Sequence, residues 1–183
     1  MLAPNLSRLL ISEVTVTSNS ITEGEVLTAQ QLWAHTIVAI GLAYQTAPGK
    51  FVQRAIEAAN TLYAFDCAEV LFKPTKARDP PFRSGPQAAL SYFVGGANVD
   101  NGYAEDQGFA LNGGRGYDEC VFTNHQIVCH GEIAIAMGIY TFSSTRGDVV
   151  EKETLEYTFG YTRCSDGTVR IFLHHSSAPY GCQ

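Results

Sequence analysis

Ile171-Phe172-Leu173-His174-His175-Ser176-Ser177-Ala178-Pro179-Tyr180 is an apolar run that turns polar over its last positions. Its length and β-branched or aromatic start predict a strand. Strand side chains alternate between two faces. His174 and Ser176 therefore share one face, and His175 and Ser177 share the other. One His-x-Ser pair must look toward whatever the sheet packs on. Burying an imidazole and a hydroxyl is costly unless they find partners, and an imidazole can move protons near neutral pH.

Reading backward from this strand, the text is β from Glu119 onward, with runs at 119–124, 126–142 and 152–163 before the last at 168–177. Arg146-Gly147-Asp148 and Ser165-Asp166-Gly167 are hairpin signals. His125 reads as a turn residue after Asn124, and His130-Gly131 as a bulge. The first half is helical. Ser20-Ile-Thr-Glu23 and Thr22-Glu-Gly-Glu25 both fit a capping box, and apolar residues from Val26 to Ala43 recur at helical spacing. Pro48-Gly49 ends that helix, and a second spans roughly Phe51 to Ala64. Ala68–Phe72 reads as a strand leading into Lys73-Pro74-Thr75. Gln87–Val94 is a short helix or strand, and the Gly-, Asn- and Asp-rich stretch 95–116 is mostly loop. His35 sits on the apolar helix stripe, as a core histidine would.

Helices first and a meandering antiparallel sheet after make an α+β fold. The simplest packing lays the helices on one face of a strongly curved sheet, with a pocket between them and the last strand near the middle. Residues 1–20 read as a tail or short element, and 21–183 as one domain. At 183 residues the chain can bury a sizeable core. Twelve Lys and Arg against 18 Asp and Glu leave a net charge of −6, which argues against a nucleic-acid partner. No run of about 18 apolar residues predicts a membrane span. The N-terminus lacks a basic region followed by an apolar one. Five cysteines, an odd number with no Cys-x-x-Cys, argue against a disulfide framework or a thiolate zinc site.

Several spaced motifs carry a resemblance. Val70-Leu-Phe-Lys-Pro-Thr75, Ala89-Leu-Ser-Tyr-Phe-Val-Gly-Gly96, Asp106-Gln-Gly-Phe-Ala-Leu111, Tyr157-Thr-Phe-Gly-Tyr161 and the His-His-Ser-Ser ending resemble the iota-class carbonic anhydrases over roughly residues 30–180. The ending also resembles the association domain of calcium/calmodulin-dependent protein kinase. The resemblance implies a cystatin-like cone, a homodimer, and reversible hydration of CO2 to bicarbonate.

CO2 hydration needs an activated water, an apolar place for CO2, and donors for the developing bicarbonate. Zinc held by three ligands is the usual solution. His35, His125, Cys129, His130, His174 and His175 form no recognisable ligand set, so neither a metal nor another cofactor is expected. On the resemblance, Thr75 and Tyr92 match hydroxyl-bearing pocket positions of the metal-free members, and one His-x-Ser pair completes the set. His175 and Ser177 are the pair expected to face inward, because the kinase-type domain has a pocket-facing arginine where this chain has His175. A one-residue slip would exchange the faces. Phe93, Phe109, Phe159, Tyr161 and Leu173 would form the apolar wall. Lys73 would draw bicarbonate in, or be a solvated strand-end charge, and His174 and Ser176 would lie nearby. Two other readings stay open. One is a non-catalytic association domain that binds a small carboxylate. The other is a steroid-isomerase-type enzyme using Glu132, Glu153 or Glu156 as base.

Overall fold

A computed structural model of the chain describes residues 19–181. Thr22 caps helix α1 (Glu23–Thr46), and its hydroxyl and backbone exchange hydrogen bonds with Glu25 in a full capping box. Helix α2 (Phe51–Leu62) follows after Pro48-Gly49. Strand β1 (Leu71–Lys73) leads through a proline-rich loop into helix α3 (Pro86–Val94). The long loop after α3 contains two short 3-10 turns, Gly96–Asn98 and Phe109–Gly114. Four strands then run in succession: β2 (Glu119–His130), β3 (Ile133–Arg146), β4 (Val149–Arg163) and β5 (Val169–Ser177).

The sheet order is β1-β5-β4-β3-β2, antiparallel throughout except for β1, which runs parallel to β5. The last strand thus lies second from one edge rather than at the middle. The helices pack on one face. Although α1 is long and apolar enough by composition to cross a membrane, Val26, Trp33, Ile37 and Ile40 are buried in this core. His35 faces the opposite way and is exposed, so it is no core residue. The expected turn and bulge of β2 exchange places. His125 lies within β2 at a register shift between Asn124 and Gln126, while Gly131, with φ +59°, turns the β2–β3 hairpin.

One cross-link was not expected. Cys67 and Cys164 form a disulfide across a sequence separation of 97. It ties the α2–β1 linker to the end of β4. In the same linker, Ala64 N–H donates to the Ile171 carbonyl at 2.9 Å.

Candidate active site

The face that β5 presents is decided by a bulge. On β4, Gly160 and Tyr161 are neighbours, yet their partners on β5 are Leu173 and Ile171. Phe172 is the extra residue. Strict alternation from the buried Ile171 would carry Leu173, His175 and Ser177 inward. The bulge shifts the phase by one. The inward residues are Ile171, His174 and Ser176, and the last two are each 2% exposed. His175 is exposed, Ser177 is half-buried, and both border a shallow groove on the outer face with His125, Met137 and Glu156. The expectation that His175 and Ser177 face the core is therefore corrected, and Leu173 leaves the inner wall with them. Gly160 permits the bulge, since a Cβ there would come within 2.8 Å of the Phe172 ring.

Register then builds the surroundings of His174. Its partner on β1 is Phe72 and its partner on β4 is Phe159. Their ring centroids lie 4.5 and 4.1 Å from the imidazole. Trp33 of α1 meets it edge-on at 5.6 Å, and Phe93 of α3 stacks on Phe72 at 5.6 Å. The imidazole sits in an aromatic box. Burial there, with a smaller contribution from His175, holds its pKa well below the ordinary histidine value, so the ring is neutral. Nδ1 lies 2.8 Å from the Tyr63 hydroxyl, which also accepts from Trp33 Nε1 at 3.0 Å. Nε2 is buried and has no partner among the described residues.

Two residues on, Ser176 is the centre of a hydroxyl cluster. Tyr140 of β3 donates to the Ser176 Oγ, and Thr75, just beyond β1, shares a hydrogen bond with the same oxygen. Tyr140 is buried and stacks parallel to Trp33, whereas Thr75 is half-buried at the rim. The cluster therefore runs from the core toward solvent. Lys73 points to the other side and donates to the Ser176 carbonyl at 3.3 Å, so it braces the strand rather than entering the inner site.

Tyr92 lies one layer away. Its ring meets Phe72 edge-on at 5.6 Å and stacks on Phe109 at 5.6 Å, and its hydroxyl accepts from the Lys76 N–H. Tyr92, Phe109, Tyr117 and Lys76 line a cleft of about 150 Å3. Tyr92 and Phe72 thus stand between that cleft and His174. Tyr161 is fully buried beside Phe159. The loop bearing Phe109 is anchored by a buried ion pair. Arg83, wholly inaccessible, donates to both carboxylate oxygens of Asp106 at 3.0 and 2.6 Å, and Ser91 donates to Asp106 at 2.6 Å.

The arrangement brings Thr75, His174 and Ser176 to one face, with Phe93 and Phe159 as wall. It leaves His175, Ser177, Lys73 and Leu173 outside. The sequence reading assigned none of Trp33, Tyr63, Phe72 and Tyr140 to the site. Phe72 and Tyr140 had a usable signal, because Phe72 lies in the Val70–Thr75 motif and Ala134, Ala136, Tyr140 and Phe142 share one strand face. The arginines of β4 and β5 are engaged elsewhere. Arg163 pairs with Glu25, and Arg170 pairs with Asp66 and Asp166. Among the described residues, the side chains close enough to share a metal are Asp66, Cys67 and Cys164, and the two cysteines spend their sulfurs on each other.

The chain resembles known proteins in both sequence and structure. A curated metal-independent carbonic anhydrase from Nostoc is 36% identical over 168 residues, covering 90% of this chain and 77% of that protein. The crystal structure of a cyanobacterial iota-carbonic anhydrase complexed with bicarbonate superposes with a TM-score of 0.82 at 32% identity, covering 92% of this chain and 99% of that one. An NTF2-like family protein from Streptomyces avermitilis, 14% identical with a TM-score of 0.52 over 86% of this chain and 96% of its own, shares the fold alone. The sequence model of the metal-independent carbonic anhydrases matches residues 24–178, and the chain belongs to that family.

Proposed function

We propose that the inner face of β5 is where this chain hydrates CO2, with His174 and Ser176 contacting the reacting atoms. One observation carries the reading: the bare Nε2 of a neutral, fully buried His174 shares a strand face with the Ser176 hydroxyl cluster, inside a shell of aromatic rings. The two residues are about 7 Å apart along the strand. The rings of Phe72, Phe93 and Phe159 suit an apolar, linear CO2. Burying a carboxylate or cation there would be costly, and the donors near His174 are neutral.

The hydroxyl cluster suits a water. Ser176 Oγ accepts from Tyr140 and shares its second bond with Thr75. A serine oxygen has two lone pairs and one proton, so with its proton given to Thr75 one lone pair remains for a water hydrogen. That water presents its own lone pair to the CO2 carbon. As the C–O bond forms, a water proton passes to Ser176, the Ser176 proton to Thr75, and the Thr75 proton to solvent at the rim. His174 Nε2 lies beside the oxygens that become bicarbonate. The cleft at Tyr92 and Phe109 is separated from His174 by the Tyr92 and Phe72 rings, and Lys76 beside it is ion-paired with Glu153 at 2.7 Å.

The chain also works, on this reading, as a homodimer. Ile133, Ile135, Met137 and Ile139 alternate along the outer face of β3 and are exposed. A contiguous exposed apolar strip suits a cover, and a second copy supplies one. Sedimentation of Ile135→Glu against the unaltered chain tests this, and an unaltered chain that sediments as a monomer contradicts it.

Stopped-flow CO2 hydration under exhaustive chelation tests the site. His174→Ala should lose most of the activity. Full activity in that variant overturns the assignment.

A further inference from the structure

The geometry points to Tyr63 as a positioning residue that fixes the tautomer of His174, so that His174 acts on substrate as an Nε2–H donor and not as a base. The argument is a count of protons. Trp33 Nε1 can only donate, and it lies 3.0 Å from the Tyr63 oxygen. That oxygen lies 2.8 Å from His174 Nδ1. Among the described residues these two are the hydroxyl's partners. If Nδ1 carried the ring proton, Tyr63 would accept twice, and its own proton would be left unpaired in a residue that is 2% exposed. If Nδ1 is the acceptor, the chain Trp33 N–H to Tyr63 O–H to Nδ1 is fully satisfied. The ring proton then resides on Nε2.

Tyr63 is well held for this task. It ends α2 and bridges to Ile171 of β5, and Ala64 continues the pairing. The Cys67–Cys164 disulfide closes the same linker onto β4. Tyr63 thus moves with the strand that bears His174, and its ring lies nearly parallel to the imidazole at 6.2 Å. A neutral N–H aimed at a developing bicarbonate oxygen needs no reorganisation as charge appears. It leaves proton removal to the Ser176–Thr75 chain.

This deepens the proposed site and rests on it, so the test separates the two. Nitrogen-15 NMR of the imidazole in the full, unaltered chain should show a protonated Nε2 and an unprotonated Nδ1. A protonated Nδ1 overturns the inference whatever the activity. Tyr63→Phe should turn that signature into a mixture of tautomers and slow CO2 hydration by about a hundredfold, mainly in kcat. An unchanged tautomer and rate in that variant also overturn it. His174→Gln can place an amide N–H near the Nε2 position but has no basic nitrogen. It should keep at least about ten times the rate of His174→Ala, and equal loss in both refutes the donor role. Full activity in His174→Ala would instead sink the site assignment and leave the tautomer result standing.

Discussion

Ser176→Ala separates what the hydroxyl cluster does for stability from what it does for catalysis. The substitution deletes the oxygen that Tyr140 donates to and Thr75 shares. Thr75 is half-buried and can turn to water. Tyr140 is 2% exposed and cannot, so its hydroxyl becomes a buried orphan. Such a group costs about 1–3 kcal/mol, which urea unfolding would read as a lower midpoint at unchanged slope. Adding Tyr140→Phe removes the orphan, and the double variant should recover stability to within about 1 kcal/mol of the unaltered chain. Activity should not recover with it. Without Ser176 the attacking water loses its acceptor and the proton chain its first link, a loss of about 10²–10³ in rate by analogy with removal of one preorganised hydrogen-bonding group. Ser177→Ala is the internal control. Ser177 donates only to Glu156, at 3.0 Å on the exposed face, so stability should shift by less than about 0.5 kcal/mol and the rate should hold. Stopped-flow hydration with a pH indicator reads all four proteins. A Ser176→Ala enzyme that keeps its rate, or a Ser177→Ala enzyme that loses as much, would refute the reasoning.

Gly160→Ala places a Cβ against the Phe172 ring and the Leu173 Cβ. It should cost about 1–3 kcal/mol and lower the rate through β5 register, and a variant of unchanged stability and rate would show that the bulge does not depend on this glycine. The pKa of His174 is lowered on folding, so the unfolded chain binds more protons once the pH falls below about 6.5. Stability is fully present above that pH and should fall below it by up to about 1.4 kcal/mol per pH unit, a slope that His174→Gln should reduce in thermal melts. Cys67→Ser with Cys164→Ser opens a loop that spans 97 positions and should lower unfolding stability by about 2–4 kcal/mol, while the same pair treated with reductant should show no further change. Arg83→Met leaves Asp106 buried without its partner and should cost about 3–5 kcal/mol by denaturant melt.

The fold could be read almost to its boundaries. The Thr22 capping box, the Pro48-Gly49 break and the two Gly-containing hairpins each depend on a local rule, and local rules are visible in sequence. What could not be read depends on pairing. His130-Gly131 and His125 offered one turn and one bulge, and only the register of β2 against β3 says which is which. The same holds, with larger consequence, at Phe172. A single extra residue exchanges His175 and Ser177 for His174 and Ser176, and alternation has no means to find it. Thr75 and the His-x-Ser motif could be singled out because they lie in recognisable motifs, and the structure places Thr75 against Ser176 while Tyr92 lies one layer away. Tyr63 and Trp33 could not be, because a tyrosine closing α2 and a tryptophan on an apolar helix face read as ordinary core. Tyr63 reaches β5 by a hydrogen bond across 111 positions, and Trp33 joins it only through the Tyr63 hydroxyl. Cys67 and Cys164 likewise meet only because β4 ends beside the α2–β1 linker.

The most direct test compares His174→Ala with His175→Ala in chelated stopped-flow CO2 hydration. The inner-face account predicts that His174→Ala loses nearly all of the catalysed rate and His175→Ala keeps it. The opposite result, with the exposed His175 required and the buried His174 dispensable, would contradict the account.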